Sequence, residues 1–397
     1  MPSKNKYEHE FISEENMTVL VNQLFKIGTT ILVNIPSCDT DPAITIDLDL
    51  QEMTLHITEN SLKHPLIVDE IRISIVRSGL IPPQNLSNLE KLLKEHYEFH
   101  KLVMLSPCIP IALDTGSLIR GIPTLIRELL AELATYIIFI EPQTVKDELD
   151  RMLKNGKWSS RLALLAITEL NRIPNLILSR ITNIPNHAED SDSKILEELK
   201  ILAKDLPHLT FLTMDKNLAI RVAKENIRSV FLDQPVLHDS FKIKGHDPGR
   251  WVKNISRFLH TLAIAAGTIS ISCADETITL NGVWSGKKPE HWHKNLIRIL
   301  IPSGSKILPP LRRHLSILQK ASDRAKSRYK KTIEPITGPL LTTREAACLL
   351  RVTPSTIRRW IKMGKIRAIR PTDRRLLIPS EEIWKLMSPE NSKKENH

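Results

Sequence analysis

The sequence predicts an α/β protein built on a parallel sheet, with smaller α+β regions on either side and a basic module near its C-terminus. Between residues 108 and 234, strand-like apolar runs alternate with helical patterns, which is typical of a parallel sheet covered by helices on both faces. Strictly alternating runs before and after this region predict antiparallel hairpins. The last part of the chain combines two short helical patterns with a high density of basic residues.

Length and composition predict a folded, multi-domain protein. A chain of 397 residues has room for roughly two to four domains, and 41% hydrophobic with 25% charged residues is ordinary for a folded domain. No apolar run reaches the length of a membrane span, and the polar N-terminus does not have the pattern of a signal peptide. The four cysteines are scattered, which argues against a disulfide framework or a zinc site. We therefore expect a cytoplasmic protein without membrane partners.

The net charge of +11 is unevenly distributed. Residues 108–233 contain 16 Lys and Arg against 17 Asp and Glu, whereas residues 331–397 contain 14 against 7. A basic module of this size is suited to a polyanion such as nucleic acid. A solubilising surface is the alternative interpretation that charge alone leaves open.

Residues 1–107 are predicted to form a small α+β unit, and residues 235–310 a second α+β segment. No chemical motif appears in the first unit, so homodimer formation, substrate positioning and a purely structural role all remain open. Residues 311–339 are predicted to be a basic helix followed by a linker that contains two prolines. The predicted elements of the first unit are a helix at 16–26, a strand at 30–35, a hairpin of 43–50 with 53–58, and a helix at 85–101; those of the second segment are a helix at 251–264 and a hairpin of 268–272 with 277–280.

The central region, residues 108–234, contains the alternating strands and helices. Predicted strands are 109–113, 135–140, 176–181, 209–213 and 230–232, and the helices between them include 125–133 and 144–153. Asp114 and Asp215 follow two of these strands, while Glu148 and Asp192 lie in helical patterns. Strand ends and helix starts converge at one edge of an α/β sheet, so these four carboxylates are expected to meet there.

Carboxylates gathered in this way repel one another unless a cation lies among them, and hard oxygen ligands favour Mg²⁺ or Mn²⁺. Two of the four acids, Glu148 and Asp215, also have a purely structural interpretation. Acidic residues such as Glu148 are favoured in the first turns of helices because of the helix dipole. Asp215 has the position of a helix N-cap.

The four motifs together resemble those of the PIN domain, a family of metal-dependent nucleases that act mainly on RNA. The residues that carry the resemblance are Leu113-Asp114-Thr115, Val145-Lys146-Asp147-Glu148-Leu149, Asp192-Ser193-Lys194-Ile195-Leu196 and Thr213-Met214-Asp215-Lys216-Asn217-Leu218. The resemblance implies that Asp114, Glu148, Asp192 and Asp215 are the catalytic and metal-binding residues, with Glu189 and Asp190 as alternatives to Asp192. It also implies that Thr115 and Thr213 position water or a phosphate oxygen, and that water attacks a phosphodiester in line.

A competing interpretation comes from the stretch Leu113-Asp114-Thr115-Gly116-Ser117, which also matches the nucleophile triplet of retroviral-type aspartic proteases. That fold is almost entirely β, whereas a helical pattern follows here at residues 125–133. A single triplet would also need a dimer to complete the pair of aspartates. The sequence therefore favours the nuclease.

Residues 340–390 are predicted to be a DNA-binding domain. The first helix is predicted at 341–350, the second at 355–363 ending at Gly364, and a two-stranded wing at 366–369 and 376–379. Thr353-Pro354 has the pattern of a cap followed by proline at the first helical position. The pattern resembles the excisionase-type helix-turn-helix, related to the winged-helix regulators of the mercury-resistance class. The resemblance implies DNA contacts from Ser355, Thr356, Arg358, Arg359, Lys362, Arg374 and Arg375.

Two functions are consistent with these patterns. The first is an Mg²⁺- or Mn²⁺-dependent endonuclease, with RNA as the expected substrate, that is localised or regulated through duplex DNA. The second is a non-catalytic DNA-binding transcriptional regulator whose central domain is a scaffold. Because all four acids are present, the sequence favours the nuclease.

Overall fold

A computed structural model describes residues 7–38, 42–49, 52–103, 109–155, 157–174, 176–179, 190–206, 208–244, 247–282, 295–330, 340–349, 352–372, 375–379 and 382. The chain divides into two compact units, residues 1–315 and 316–397, which are described separately below. No helix in this described part of the chain is long and apolar enough to cross a membrane.

The strands, in chain order, are β1 Tyr7–Ile12, β2 Thr30–Asn34, β3 Ile44–Leu48, β4 Glu52–Ile57, β5 Ile109–Leu113, β6 Ile137–Glu141, β7 Leu176–Leu178, β8 Thr210–Thr213, β9 Arg228–Phe231, β10 Ser240–Lys244, β11 Thr268–Cys273, β12 Glu276–Asn281, β13 Ile297–Pro302, β14 Leu340–Thr342, β15 Ile369–Thr372 and β16 Arg375–Pro379. The helices are α1 Glu14–Ile27, α2 Glu59–Lys63, α3 Pro65–Ser78, α4 Leu86–Val103, α5 Thr115–Ile119, α6 Ile122–Leu129, α7 Gln143–Lys154, α8 Lys157–Leu170, α9 Ser191–Asp205, α10 Lys216–Lys224, α11 Pro248–Ala266, α12 Leu308–Lys330, α13 Thr343–Leu349 and α14 Pro354–Lys362.

An antiparallel sheet combines strands from the two α+β segments of the first unit. Its order is β1-β13-β12-β11-β2-β3-β4-β10, and every neighbouring pair is antiparallel. The division of residues 1–107 and 235–310 into separate units is therefore wrong, since β2 pairs directly with β11. Alternating side chains such as Ile31, Val33, Ile269 and Ile271 are fully buried, which explains why local alternation predicted the strands but not their partners.

The central region forms a second sheet that is entirely parallel, in the order β7-β6-β5-β8-β9. The predicted parallel sheet is confirmed, with shifts at its boundaries. β6 begins at Ile137 because residues 131–136 form turns, and the predicted helix 125–133 is observed as α6, which ends at Leu129. Helix α8 was not predicted, since its buried hydrophobic residues form the continuous run 162–166, which lacks the spacing of a one-sided helix.

A buried ion pair joins helices that belong to the two sheets of the first unit. Arg77 at the end of α3 lies 3.1 Å from Glu169 in α8, and both side chains are almost completely buried. Arg77 Nη1 also donates to the carbonyl oxygens of Leu118 and Ile119, while Glu169 Oε1 accepts from the N–H of Thr124. The pair therefore links α3 and α8 to both α5 and α6.

A second group of charges extends this network towards α1 and α11. Glu14, which is buried, accepts two hydrogen bonds from Arg172 at 3.0 and 3.1 Å and lies 3.2 Å from Arg257 in α11. Arg257 in turn makes two hydrogen bonds of 2.7 Å to Glu128 in α6. Helix α11 also packs against α3, α1 and α8, so it is the main contact between the two sheets' helices.

The second unit contains a three-stranded sheet in the order β14-β16-β15 and the helices α13 and α14. Its core is formed by buried Ala346, Ala347, Ile357, Ile366 and Ile378. The predicted first helix begins too early, because Leu340–Thr342 pairs with β16 as an edge strand. The first wing strand is observed at Ile369–Thr372 instead of 366–369.

We expect substitution of Arg77 by Met to destabilise the first unit by about 3–5 kcal/mol, because it leaves Glu169 charged and buried without its partner. Urea unfolding followed by circular dichroism measures this change. Replacing both residues, as Arg77→Met with Glu169→Leu, should recover part of the loss. Lys91→Met, which breaks an exposed pair with Glu95, is the control and should change the midpoint little. A single Arg77→Met variant as stable as the wild type would contradict this role.

Candidate functional site

The carboxyl ends of β5 and β8 are adjacent, because these strands pair in parallel with Leu113 opposite Leu212. Asp114 follows β5 directly, and Asp215 follows β8 after Met214. Both acids therefore lie at the same edge of the parallel sheet, where the sequence placed them. This is the edge at which α/β folds commonly bind ligands.

Asp114 is buried and held by three hydrogen bonds. Its Oδ1 accepts from the N–H of Ser117 at 2.6 Å, which makes Asp114 the N-cap of α5. Its Oδ2 accepts from the Thr213 hydroxyl at 2.6 Å and from the Met214 N–H at 3.2 Å. Because both carboxylate oxygens accept hydrogen bonds, the Asp114 side chain is held in one orientation.

Thr213 connects Asp114 with Asp215. While the Thr213 hydroxyl donates to Asp114, it accepts from the Asp215 N–H at 2.9 Å. The Asp215 side chain is exposed, and its Oδ1 caps α10 by accepting from the N–H groups of Asn217 and Leu218 at 2.7 and 3.0 Å. The capping role that the sequence offered as the structural interpretation of Asp215 is therefore present, and it leaves Oδ2 outside the cap.

Asp192 lies in the first turn of α9 and is electrostatically coupled to this edge. Partial burial raises its pKa above the ordinary value, and the charges of Asp215 and Asp190 raise it further. Arg221 opposes this shift from 3.9 Å, and Asp114 adds to it. Two of the other predicted acids, Asp215 and Asp114, therefore act on Asp192 through space.

The structure distinguishes between the alternatives for the third acid. Asp190 is the N-cap of α9, and its Oδ1 accepts from the Ser193 N–H at 2.6 Å. These hydrogen bonds lower the pKa of Asp190. Asp192 has no such capping role, and the charges of Asp215 and Asp114 raise its pKa. Glu189 lies outside the described residues.

Glu148 reaches the site through Thr115 rather than through another acid. The Thr115 hydroxyl donates to Glu148 Oε2 at 2.6 Å, which links α7 to the turn after β5. Helix α7 is itself anchored by the fully buried Glu198 of α9, whose carboxylate accepts from the N–H groups of Gln143 and Thr144. Since Pro142 offers no side-chain cap, Glu198 supplies the missing acceptor from a distant part of the chain.

Two further charged groups near this edge were missed by the sequence reasoning. Glu141, the last residue of β6, is buried, and burial raises its pKa to about 7 while Lys146 opposes and Asp150 supports the shift. Arg120 follows Asp114 by six residues and is the C-cap of α5. An acidic residue at the end of an apolar run was the available signal for Glu141.

The oxygen donors at this edge are of the type that Mg²⁺ and Mn²⁺ prefer. The repulsion that Asp215 and Asp114 exert on Asp192 would also be relieved by a cation. Within the described part of the chain, however, no three carboxyl, imidazole or thiol side chains are grouped closely enough to hold a metal ion. The oxygen donors are therefore chemically suited to a divalent cation, but these carboxylates are farther apart than they would be around a bound ion.

In the second unit, α14 presents the predicted basic side chains to solvent. Arg358, Arg359 and Lys362 are exposed, and Ile357 on the opposite side of the helix is fully buried. Thr353 caps the helix by accepting from the Thr356 N–H at 3.2 Å. Of the remaining predicted contacts, Ser355 is exposed and Thr356 partly buried, Arg375 begins β16, and Arg374 lies outside the described residues.

A family model described as a helix-turn-helix domain matches residues 340–388. This part of the chain is a helix-turn-helix DNA-binding domain. Comparison with curated proteins finds no match. Among solved structures, the chain is similar to a domain of a functionally unknown protein from Methanocaldococcus jannaschii DSM 2661, with 18% identity and a TM-score of 0.27 over 33% of this chain and 96% of that one.

We expect Glu141→Gln to change how stability depends on pH. The pKa of Glu141 is about 7 in the folded state against an ordinary 4.5, so the stability contributed by its proton is fully present below pH 4.5. That contribution is lost as the pH rises through about 7. Wild type and variant should therefore have similar stability near pH 4, and the variant should be the more stable at pH 8.

Urea unfolding at several pH values measures this difference. Asp147→Asn, which removes an exposed acid from α7, the helix that follows β6, is the matched control and should leave the pH profile unchanged. If Glu141→Gln and the wild type lose stability in parallel between pH 4 and 8, then Glu141 does not titrate near 7.

Proposed function

We propose that this protein is a metal-dependent endonuclease of the PIN type that acts on RNA and is localised or regulated through its C-terminal DNA-binding domain. The observation that supports the proposal is the electrostatic coupling of Asp192 with Asp215 and Asp114 at the carboxyl edge of the parallel sheet. Neighbouring like charges raise the free energy of the folded state. Proteins commonly tolerate that cost at functional sites.

Asp114, Asp192 and Asp215, with Glu148 beside them, are the residues that would hold Mg²⁺ or Mn²⁺. A divalent ion supplies charge neutralisation at a phosphate group and a more acidic water when bound. The protein's own contribution is orientation. Thr213 holds Asp114 and the Asp215 backbone together, and Thr115 holds Glu148 against the turn that follows β5.

A non-catalytic DNA-binding regulator is the second candidate, and one observation favours it. Asp114 already accepts three hydrogen bonds from protein donors, so its carboxylate is well satisfied without a metal. In that case the acids are helix caps and the central domain is a scaffold for partners. A metal-dependence assay separates the two candidates, because a scaffold neither binds Mn²⁺ at this edge nor cleaves nucleic acid.

We expect Asp192→Asn to abolish cleavage without destabilising the fold. Asn keeps the shape but removes a metal ligand, so cleavage of labelled single-stranded RNA in Mn²⁺ should fall by about a hundredfold or more. Because neighbouring charges raise the pKa of Asp192, its neutral replacement should be at least as stable as the wild type at pH 7 in chelator. Asp114→Asn should also inactivate, but it replaces a hydrogen-bond acceptor in a donor-lined position and should lower stability.

Asp205→Asn is the matched control, since Asp205 is an exposed acid at the last position of α9. Its activity should equal that of the wild type. Cleavage by the wild type that survives a chelator, or full activity of Asp192→Asn in a clean preparation, would rule out the proposed metal site.

We expect the exposed arginines of α14 to control duplex recognition. If Arg358 or Arg359 pairs with a guanine edge, its replacement by Ala should cost roughly 1–3 kcal/mol at the preferred sequence and relax the preference. Arg375→Ala, if this side chain contacts phosphate, should weaken all duplexes alike and reduce the salt dependence. Fluorescence anisotropy with preferred and scrambled duplexes distinguishes these results. Unchanged duplex binding after removal of residues 339–397 would show that the domain serves another partner.

A further inference from the structure

Arg120 lies next to Asp114 on the far side of Gly116. A methyl group at Gly116 would be 3.4 Å from Asp114 Oδ2 and 3.6 Å from Arg120 Nη1, so the carboxylate and the guanidinium face the same small space. No ion pair within 4.0 Å joins Arg120 to any acid in the described part of the chain. The guanidinium and the carboxylate are therefore close, but they do not form an ion pair with each other.

The hydrogen bonds of Arg120 are also incomplete. Nη1 donates to the Gly116 carbonyl oxygen at 3.3 Å, which is long, and Nε is buried without a partner among the described residues. A partly buried guanidinium with unsatisfied donors is costly, because the charge loses solvent without gaining an equivalent anion. Such a group is suited to an anionic ligand that completes its hydrogen bonds.

A second arginine, Arg72 of α3, lies near Arg120. It pairs with Asp69 through Nη1 at 3.1 Å, while its Nε is buried without a partner among the described residues. Burial lowers the pKa of Arg120, and Asp114 and Asp69 oppose that shift while Arg72 adds to it. The two guanidinium groups come from α3 and from the end of α5, and their charges act on each other.

We propose that Arg120, assisted by Arg72, binds a phosphate group of a single-stranded nucleic acid beside Asp114. This inference rests on the proposed function and identifies the residues that hold its substrate. Guanidinium groups match phosphate oxygens in geometry and charge. Both arginines are only partly exposed, and a flexible single strand can place a phosphate against such side chains more easily than a rigid duplex.

The subsite also solves an electrostatic problem of the proposed reaction. A phosphodiester approaching Asp114, Asp192 and Asp215 is repelled by them, whereas the Arg120 guanidinium faces the same small space as the Asp114 carboxylate. Its attraction would offset part of that repulsion before any divalent ion contributes. The subsite also gives the segment that precedes the parallel sheet a role, since α3 supplies Arg72.

The test is binding rather than cleavage, so that it stands apart from the nuclease proposal. The full-length protein is titrated, in chelator, into labelled 12-nucleotide oligouridine and oligothymidine at several salt concentrations, with anisotropy as the readout. Arg120→Ala should weaken binding roughly tenfold, as expected for a lost charge-assisted hydrogen bond. The slope of log affinity against log salt should fall by about 0.7, as expected for one lost phosphate contact. Arg72→Ala should have a smaller effect because Asp69 already engages part of its guanidinium.

The matched control is Arg228→Ala, which removes the same charge from an exposed position at the amino end of β9, the opposite edge of the same sheet. It should keep affinity and slope. Arg120→Gln, which retains a donor for the Gly116 carbonyl, repeats the test if Arg120→Ala fails to fold, and it should show the same loss of slope.

Unchanged affinity and slope in the Arg120 variants, or equal losses in Arg228→Ala, would overturn the subsite. Absence of single-strand binding by the wild type would also overturn it. A wild type that binds but does not cleave in Mn²⁺, with the losses confined to Arg120 and Arg72, would support the subsite while removing the nuclease proposal. Comparison of the two oligonucleotides shows whether the subsite distinguishes RNA from DNA.

Discussion

One buried interaction, the ion pair between Arg77 and Glu169, fixes the position of the acidic edge. By this name we mean the carboxyl edge of the parallel sheet, where Asp114 and Asp215 lie. Arg77 holds the last carbonyl oxygens of α5, and Glu169 holds the first turn of α6, so the segment after Asp114 is fixed from both α3 and α8. Burying two charges is expensive, and the cost is offset only when their hydrogen bonds are well made. The pair therefore gives little net stability but determines how the two sheets of the first unit are joined.

The acidic edge combines carboxylates that are held by hydrogen bonds with charged groups whose interactions are incomplete. Asp114 is held by backbone and hydroxyl donors, whereas Asp192 remains partly exposed and is repelled by its neighbours. Arg221 compensates on the α10 side, and Arg120 lies on the other side of Asp114. An edge with mutually repelling acids and incompletely bonded guanidinium groups is suited to a ligand that carries both a cation and a phosphate. That requirement, more than any single motif, motivates the nuclease proposal.

The two units of the protein differ in how directly their chemistry follows from the sequence. The C-terminal domain is a small, local structure in which Thr353 caps α14 and Ile357 faces the core, so a short pattern contains most of its information. The family match over residues 340–388 agrees with that pattern. The central domain gathers its acids from segments separated by about a hundred residues, as the hydrogen bond between Thr213 and Asp114 shows. Sequence reasoning could place those acids at one edge, but it could not foresee which of their oxygens were already engaged.

The sequence by itself determined the alternating strands, the parallel central sheet, the helix cap at Asp215 and the helix-turn-helix, because side-chain periodicity and capping act over a few residues. Only the tertiary structure decided that β2 pairs with β11 in a single sheet, that Glu198 caps α7, and that Arg120 lies beside Asp114. The first two contacts join residues that are far apart in the chain. The third depends on the direction in which the long Arg120 side chain extends. Their energies come from burial and long-range pairing, which no local pattern encodes.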